Sequence, residues 1–493
     1  MPNKLLQSLW ILAIVLAAAC TPWPNPAPLL AFLAQAEPLI AERRYSEAIV
    51  ILEQAAQAHP EDPVPLIKMG QIYLNQQRWL LAEDAFNRAL ARDLHHPLAL
   101  AGLAEALLNQ AELRDALKLW QETVRLNPDL PGGFTGLGRT YLALFNFEAA
   151  EDAFLKQQTH APDPEAQWHL AALTAPHDLA SATNYLHAIS SSPSAQETAA
   201  ETPPAQTVRA GLLVRRDYLL AALVPFSPES PPAEIARATG IALAQIEMWP
   251  LAAHALTVAH EKQTTELKPA DAETLAFLGY ALAQAGRPAL DLFEQAQNAD
   301  PESALPLYFQ GIYLRQKGAL KAAEALFKQA LSLDPENAAI YAELGHTKAQ
   351  QGNFAAAEAG YLAAHEVAAD DPEFQMLLAQ FYASRAYRLA EAGIPTVETI
   401  IKADENNAEA HDLLGWMRFL SGAPGGGEAA FRRALELDPD LVSARYHLAR
   451  QLEVNDQTAL AISEYRRVID WDRSGHFRER ALKDLQRLGV LTP

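Results

Sequence analysis

Small and large apolar residues recur along this chain at a fixed distance. The stretch LIKMGQIYLNQQRWLLAEDAFNRAL, starting at Leu66, aligns with LYFQGIYLRQKGALKAAEALFKQALSLDP, starting at Leu307. In the first half the period is 34, with units starting near Leu29, Pro63, Pro97 and Pro131. One small position holds Ala36, Gly70, Ala104 and Gly138, and a second holds Ala48, Ala82, Ala116 and Ala150. Four residues after the second stands a large apolar group: Leu52, Phe86, Trp120 or Phe154. The same order returns in the second half with Gly240, Gly279, Gly311, Gly345, Gly415 and Ala449 as the first small residue. Ala252, Ala289, Ala323, Ala357, Gly427 and Ala461 supply the second, and Phe293, Phe327, Tyr361, Phe431 and Tyr465 the large partner. At the C-terminus Phe477, Ala481, Leu485 and Leu488 form one apolar stripe at helical spacing, which predicts an amphipathic helix.

This pattern resembles the tetratricopeptide repeat, a helix–turn–helix unit. The resemblance implies an all-α fold, a superhelical solenoid of stacked helical hairpins closed by a C-terminal capping helix over residues 476–493. Hairpins of this kind cannot bury both faces alone and therefore stack. Small residues let two antiparallel helices approach closely, and the aromatic wedge fills the gap against the next unit. The expected arrays cover residues 29–189, the last unit being degenerate, and 233–475. Between them, SSSPSAQETAAETPPAQT reads as an exposed linker because it is polar, Pro-rich and without aromatics. VRAGLLVRRDYLLAALVPF then reads as one long helix, so residues 190–232 are a linker plus a degenerate helix. Near 384–404, Pro395 falls where a second helix is due, which predicts a kinked or altered hairpin.

The N-terminus carries a different message. Leu5 to Ala19 is an uncharged run of 15 residues behind Lys4. As a helix it reaches roughly 22 Å, short of the ~30 Å hydrocarbon core, which favours a signal peptide over a permanent span. Leu16, Ala17, Ala18 and Ala19 before Cys20 resemble the lipobox of a bacterial lipoprotein. The resemblance implies cleavage of residues 1–19, lipidation of the Cys20 thiol, and an extracytoplasmic chain anchored to a membrane of the cell envelope. An uncleaved signal anchor and a merely buried cysteine are the alternatives. Pro22, Pro24, Pro26 and Pro28 make the next segment an extended stalk, residues 20–28 being anchor and spacer.

Composition narrows the chemistry. The formal charge of −21 disfavours nucleic acid, whose phosphates call for Lys and Arg. A single cysteine excludes an intramolecular disulfide framework and a Cys-based zinc site. No HExxH, GxSxG or Walker loop occurs, so no catalytic residue, metal site, cofactor or small-molecule substrate is expected. Gly136 and Gly138 lie in a repeat's first helix and read as packing positions rather than a phosphate loop. Between Glu464 and Arg487 seven basic residues face five acidic ones, which reads as an ion-paired cap helix or as a docking site for an acidic partner.

In the repeat family the first helix of each unit lines the concave face. Carried onto this sequence, that rule singles out Arg139, Tyr308, Arg315, Trp416, Phe419, Tyr446 and Arg450 as partner-binding residues, with His346 and Asp412 beside them. Lysines are missing where chaperone-binding members hold a terminal carboxylate. Aromatic and Arg side chains are instead those most often found at binding hot spots. The function expected is a non-enzymatic scaffold for protein or peptide segments of an envelope assembly. The resemblance admits secretion or pilus assembly, outer-membrane protein insertion and exopolysaccharide export alike. The alternative is an envelope glycan-binding or export-associated lipoprotein that uses the aromatics as stacking platforms.

Overall fold

The computed structural model describes residues 28–191, 203–265, 271–422 and 426–490. Cys20, the leader before it and most of the stalk lie outside the described residues, as do 192–202 of the linker. Among the described residues there are 26 α-helices, one short π-helical turn and no strand.

The first half pairs α1 (Leu29–Ala41) with α2 (Tyr45–Ala58), α3 (Val64–Asn75) with α4 (Trp79–Leu90), and α5 (Pro97–Asn109) with α6 (Leu113–Leu126). Then α7 (Gly133–Ala143) pairs with α8 (Phe147–His160), and α9 (Pro164–Thr174) with α10 (Leu179–Ser191). A single helix, α11 (Pro203–Leu223), follows. The second half pairs α12 (Pro232–Gln245) with α13 (Trp249–Thr265), α14 (Ala272–Gln284) with α15 (Leu290–Ala299), and α16 (Leu305–Gln316) with α17 (Leu320–Leu333). It continues with α18 (Ala338–Gln350) and α19 (Phe354–Val367), α20 (Pro372–Arg385) and α21 (Ile394–Ala403), and α22 (Ala408–Leu420) and α23 (Glu428–Leu437). The last hairpin is α24 (Val442–Val454) with α25 (Thr458–Trp471), and α26 (His476–Arg487) covers it.

Every wedge aromatic except Tyr465, whose hairpin has Ala449 at the small position, sits against the bare backbone of a glycine. Phe86, fully buried, lies between Gly70 of its own hairpin and Gly102 of the next. Phe154, Phe327 and Phe431 press in the same way on Gly138, Gly311 and Gly415. Turns inside the hairpins repeat too. Arg43, Gln77, Ala111 and Phe145 occupy one turn position with φ between 56° and 63°, and Gly318 and Gly352 stand at the equivalent place with φ of 77°. A left-handed residue there ends the first helix and reverses the chain.

First helices of successive hairpins pack on one another, α3 on α5 and α5 on α7, then α12 on α14 and onward to α24 on α26. Second helices of successive hairpins do not pack in this way, so the array curves with its first helices on the inner side. Across the irregular middle the core stays continuous. One hydrophobic cluster runs from Leu142 through Trp168, Leu186 and Leu219 to Leu256 and Ala281. Helix α13 also reaches back to α7 and α9, with His254 against the Phe147 ring at 4.3 Å and Lys262 donating to the carbonyl of Pro176 at 2.7 Å.

Pro395 does not break its hairpin. Helix α20 stops at Arg385, Ala386 and Arg388 take left-handed φ of 47° and 44°, and a π-helical turn at Leu389–Gly393 leads into α21. Pro395 then falls in the first turn of α21, directly after the last bond of the π-helical turn, from the Ile394 amide to the Leu389 carbonyl. Buried Glu358 secures the detour, accepting from the Tyr382 hydroxyl at 2.6 Å and the Arg388 guanidinium at 2.8 Å.

The two ends of the array meet. Both the amide and the hydroxyl of Ser46, at the start of α2, donate to Oδ1 of Asp470 at the end of α25, at 2.9 and 2.5 Å. Gln76 donates to the Asp470 carbonyl, Trp471 to the carbonyl of Arg43, and Arg478 to the carbonyl of Gln76. Arg43 pairs with Asp440 at 2.6 Å and lies over the Trp471 ring, with Arg445 also 4.3 Å from that ring's centre. Residues some 400 positions apart in sequence thus close the curved array on itself.

Candidate functional site

Of the seven residues singled out on the inner face, four converge at the C-terminal end. Trp416 and Phe419 lie on α22, and their rings stack at 5.1 Å. Trp416 also stacks on His447 of α24 at 4.0 Å, with an interplanar angle of 15°. His447 is held from below by Asp412, whose Oδ1 is 2.8 Å from Nδ1, and both groups are buried. Phe477 of α26 meets the His447 ring edge-on at 5.7 Å. Tyr446 is buried and donates its hydroxyl to Asp484 at 3.0 Å, while Arg450 faces the same carboxylate at 3.8 Å. Trp416 and Phe419 stay half-buried, so their outer edges form a ledge that Tyr446 and His447 support from beneath.

Tyr308 and Arg315 form a second group on α16. Arg315 donates to Glu343 on α18 at 2.7 Å, with both side chains about one-sixth exposed. His346 Nδ1 is 2.8 Å from the hydroxyl of Tyr361. Tyr308 is half-buried beside Phe309 and Phe327, and Tyr280 stacks on Phe309 at 4.4 Å. Burial, and then the nearby Glu343, push the phenols of Tyr308 and Tyr361 above the ordinary tyrosine range, so both remain neutral hydrogen-bonding groups. Arg139 is apart from both groups, in the first half. It bridges Glu105 on the preceding first helix at 3.1 and 3.2 Å, and Glu165 on the following one at 3.9 Å.

These ion pairs follow a rule that reading for catalytic motifs passes over. Arg139 and Glu105 are 34 residues apart, Arg237 and Asp271 are 34 apart, and Asp412 and His447 are 35 apart. About one repeat separates each pair, so neighbouring hairpins carry complementary charges or a carboxylate–imidazole pair along the inner side, with Arg139 and Glu105 at equivalent positions and Asp271 capping its helix. Searching for complementary residues one period apart would have found them. Arg139 and Arg315 are already bonded to carboxylates and Arg450 faces Asp484, which leaves the exposed aromatic edges as the unspent binding surface. Chemically the arrangement offers apolar stacking flanked by ordered ion pairs. Among the described residues no cluster of His, Cys, Asp or Glu could hold a metal ion, and no helix is long and apolar enough to cross a membrane.

The fold and this face define a class, the helical-repeat solenoid that presents a curved inner surface. Parts of the chain match tetratricopeptide repeat models: one matches residues 39–93 and 314–381, and a second matches 67–131 and 288–338. No curated protein matches the sequence. Among solved structures the chain is similar to yeast Tom70 at 14% identity, covering 86% of this chain and 95% of that one with a TM-score of 0.41. It is similar to the APC/C hetero-tetramer Cut9-Hcn1 at 14% identity, covering 86% and 97% with a TM-score of 0.38. A third likeness is YrrB, a TPR protein with an unusual peptide-binding site, at 19% identity over 40% of this chain and all of that one, with a TM-score of 0.30.

Proposed function

We propose that this chain is a binding scaffold for a protein segment, held at the outer side of a bacterial membrane through lipidated Cys20, with its receiving surface on the inner face of the C-terminal hairpins. The observation that carries the reading is the Trp416–Phe419 ledge. Two aromatic rings are kept half-exposed by a buried His447–Asp412 pair when they could have been packed away. Rigid aromatics on a preorganised floor lose little entropy on binding and serve as anchors for an apolar side chain of a partner. The neighbouring Arg450 faces Asp484 and shapes the rim.

Capture from solubilised envelope tests this, with the wild-type chain beside a Trp416→Ala/Phe419→Ala variant and contacts located by cross-linking mass spectrometry. A protein retained by the wild type, cross-linked to α22 or α24 and lost by the variant is the expected result. Equal recovery by both baits overturns the assignment of the ledge. Lipid attachment is tested separately by mass spectrometry of the N-terminal peptide in wild type and Cys20→Ser.

A further inference from the structure

Where the two ends of the array meet they enclose a cavity of about 360 Å³, within the range that small-molecule sites occupy. Its walls come from both ends of the sequence. Ile49 and Val50 of α2 face Ile469 of α25 and Leu482 of α26, giving an aliphatic floor that spans the seam. Two acids and two arginines complete the lining, and their states differ. Glu47 is already gripped by Arg44, through 2.8 and 2.7 Å contacts, and Oδ1 of Asp470 is taken by the amide and hydroxyl of Ser46. Arg78 rests on the Tyr73 ring at 5.2 Å, and neither it nor Arg466 has a carboxylate within salt-bridge distance among the described residues. Arg78 lies within Coulombic reach of Asp470 and Arg466 of Glu47, so the arginines offset the cavity's two acids while their N–H donors stay free of any salt bridge among the described residues.

We infer that this seam cavity is a binding site for an amphipathic anion, a carboxylate or phosphate head on a short aliphatic chain, with the head on Arg78 and Arg466 and the chain on Ile49, Val50, Ile469 and Leu482. Guanidinium groups suit such heads because their N–H donors match two oxygens at once. An apolar chain on the aliphatic floor adds affinity in proportion to the area it removes from water. Because the walls belong to α2 and to α25 and α26, the ligand is fully contacted only when the ends of the array are together. Binding and closure are therefore linked, and the ligand stabilises the closed array by mass action. This goes beyond the ledge on α22 and does not depend on it.

Octanoate and octyl phosphate, with octan-1-ol as the neutral control, are titrated calorimetrically into the full-length chain held in phosphatidylcholine nanodiscs. Amide hydrogen exchange at Ser46 is followed in parallel. That amide lies in the first turn of α2, where no helical carbonyl can accept it, and it is bonded across the seam to Asp470. The expected result is that both anions bind at least tenfold more tightly than octanol and slow exchange at Ser46. An Arg78→Gln/Arg466→Gln variant should lose that preference while keeping its helical circular dichroism. Arg466 is exposed, so Arg466→Gln alone provides a variant whose fold is not at risk and whose affinity for both anions should fall severalfold. Preference for octyl phosphate over octanoate would identify a phosphate head, and the reverse a fatty acid. Equal binding of octanol and octanoate, or anion binding unchanged by the double variant, overturns the inference.

Discussion

Replacing Gly102 by Ala should destabilise the array, although alanine is the better helix former. Gly102 lies within α5, and a methyl group built on it would stand 2.2 Å from the Phe86 ring. That ring is fully buried and is backed on its other side by Gly70, where an added methyl would stand 2.6 Å away. The ring cannot retreat, so hairpin α5–α6 must move away from α3–α4 by more than an ångström. Overpacking of this kind costs about 1–3 kcal/mol, and so severe a clash falls at the upper end. Relief of the glycine's helix penalty returns about 1 kcal/mol. The net expectation is a loss of about 2 kcal/mol. Gly345 gives the control, because its methyl would stand 3.1 Å from the Tyr361 ring, so that ring must give by only a few tenths of an ångström. There the propensity gain roughly cancels the crowding, and Gly345→Ala should lie within about 0.5 kcal/mol of wild type. Repeat arrays do not always unfold in one step, so the readout is the local opening free energy from native-state hydrogen exchange along α4 and α19, supported by thermal unfolding. Phe86→Leu, which shortens the wedge, should make Gly102→Ala less costly in a double-mutant cycle. Equal stability of Gly102→Ala and Gly345→Ala, or a cycle with no coupling, would refute the reasoning.

Two further expectations concern pH. Burial first, with Arg139 and Arg215 adding to it, holds His169 down to about 3, and burial holds His254 down to about 4. The unfolded chain then binds these protons more readily than the folded one, so the stability they contribute is complete above about 6.5 and is lost as pH falls below it. At pH 4.5 the nearly fully buried His169 alone should account for about 2–3 kcal/mol, seen as a steeper acid loss of melting temperature in wild type than in His169→Gln. Asp470 behaves in the opposite sense. Burial raises it to about 6 against the Ser46 hydrogen bonds, so the closed seam holds the proton more tightly than an opened one. Closure should be strongest below about pH 4 and weaken by up to about a hundredfold as pH rises through 6. Ser46 protection, corrected for intrinsic exchange, reports this, and an unchanged protection between pH 4 and 7 would sink it.

The sequence by itself determined the unit and its stacking. A helical hairpin needs small residues where its helices touch and a large one where it meets the next, and these contacts lie within one period of each other. Gly70, Ala82 and Phe86 therefore display the packing before any coordinates are known, and Gly102 one repeat on completes the Phe86 slot. The ion pairs between first helices were legible in the same way, at spacings of 34 and 35 residues, although only a search at that spacing reveals them. The detour at Pro395 was visible as an irregularity, while its form, a π-helical turn held by Glu358, depends on Tyr382 and Arg388 being brought to one carboxylate. Only the tertiary structure decided that the ends meet. The curvature of the array is a sum of small rotations, one per hairpin, altered by α11 and the α20–α21 detour on the way. No local pattern encodes that sum. Ser46 and Asp470 stand 424 residues apart, each in an ordinary repeat, and nothing near either one in the chain announces the other. The seam, its cavity and the raised Asp470 are consequences of the whole path, whereas each hairpin is a consequence of its own residues and its neighbours'.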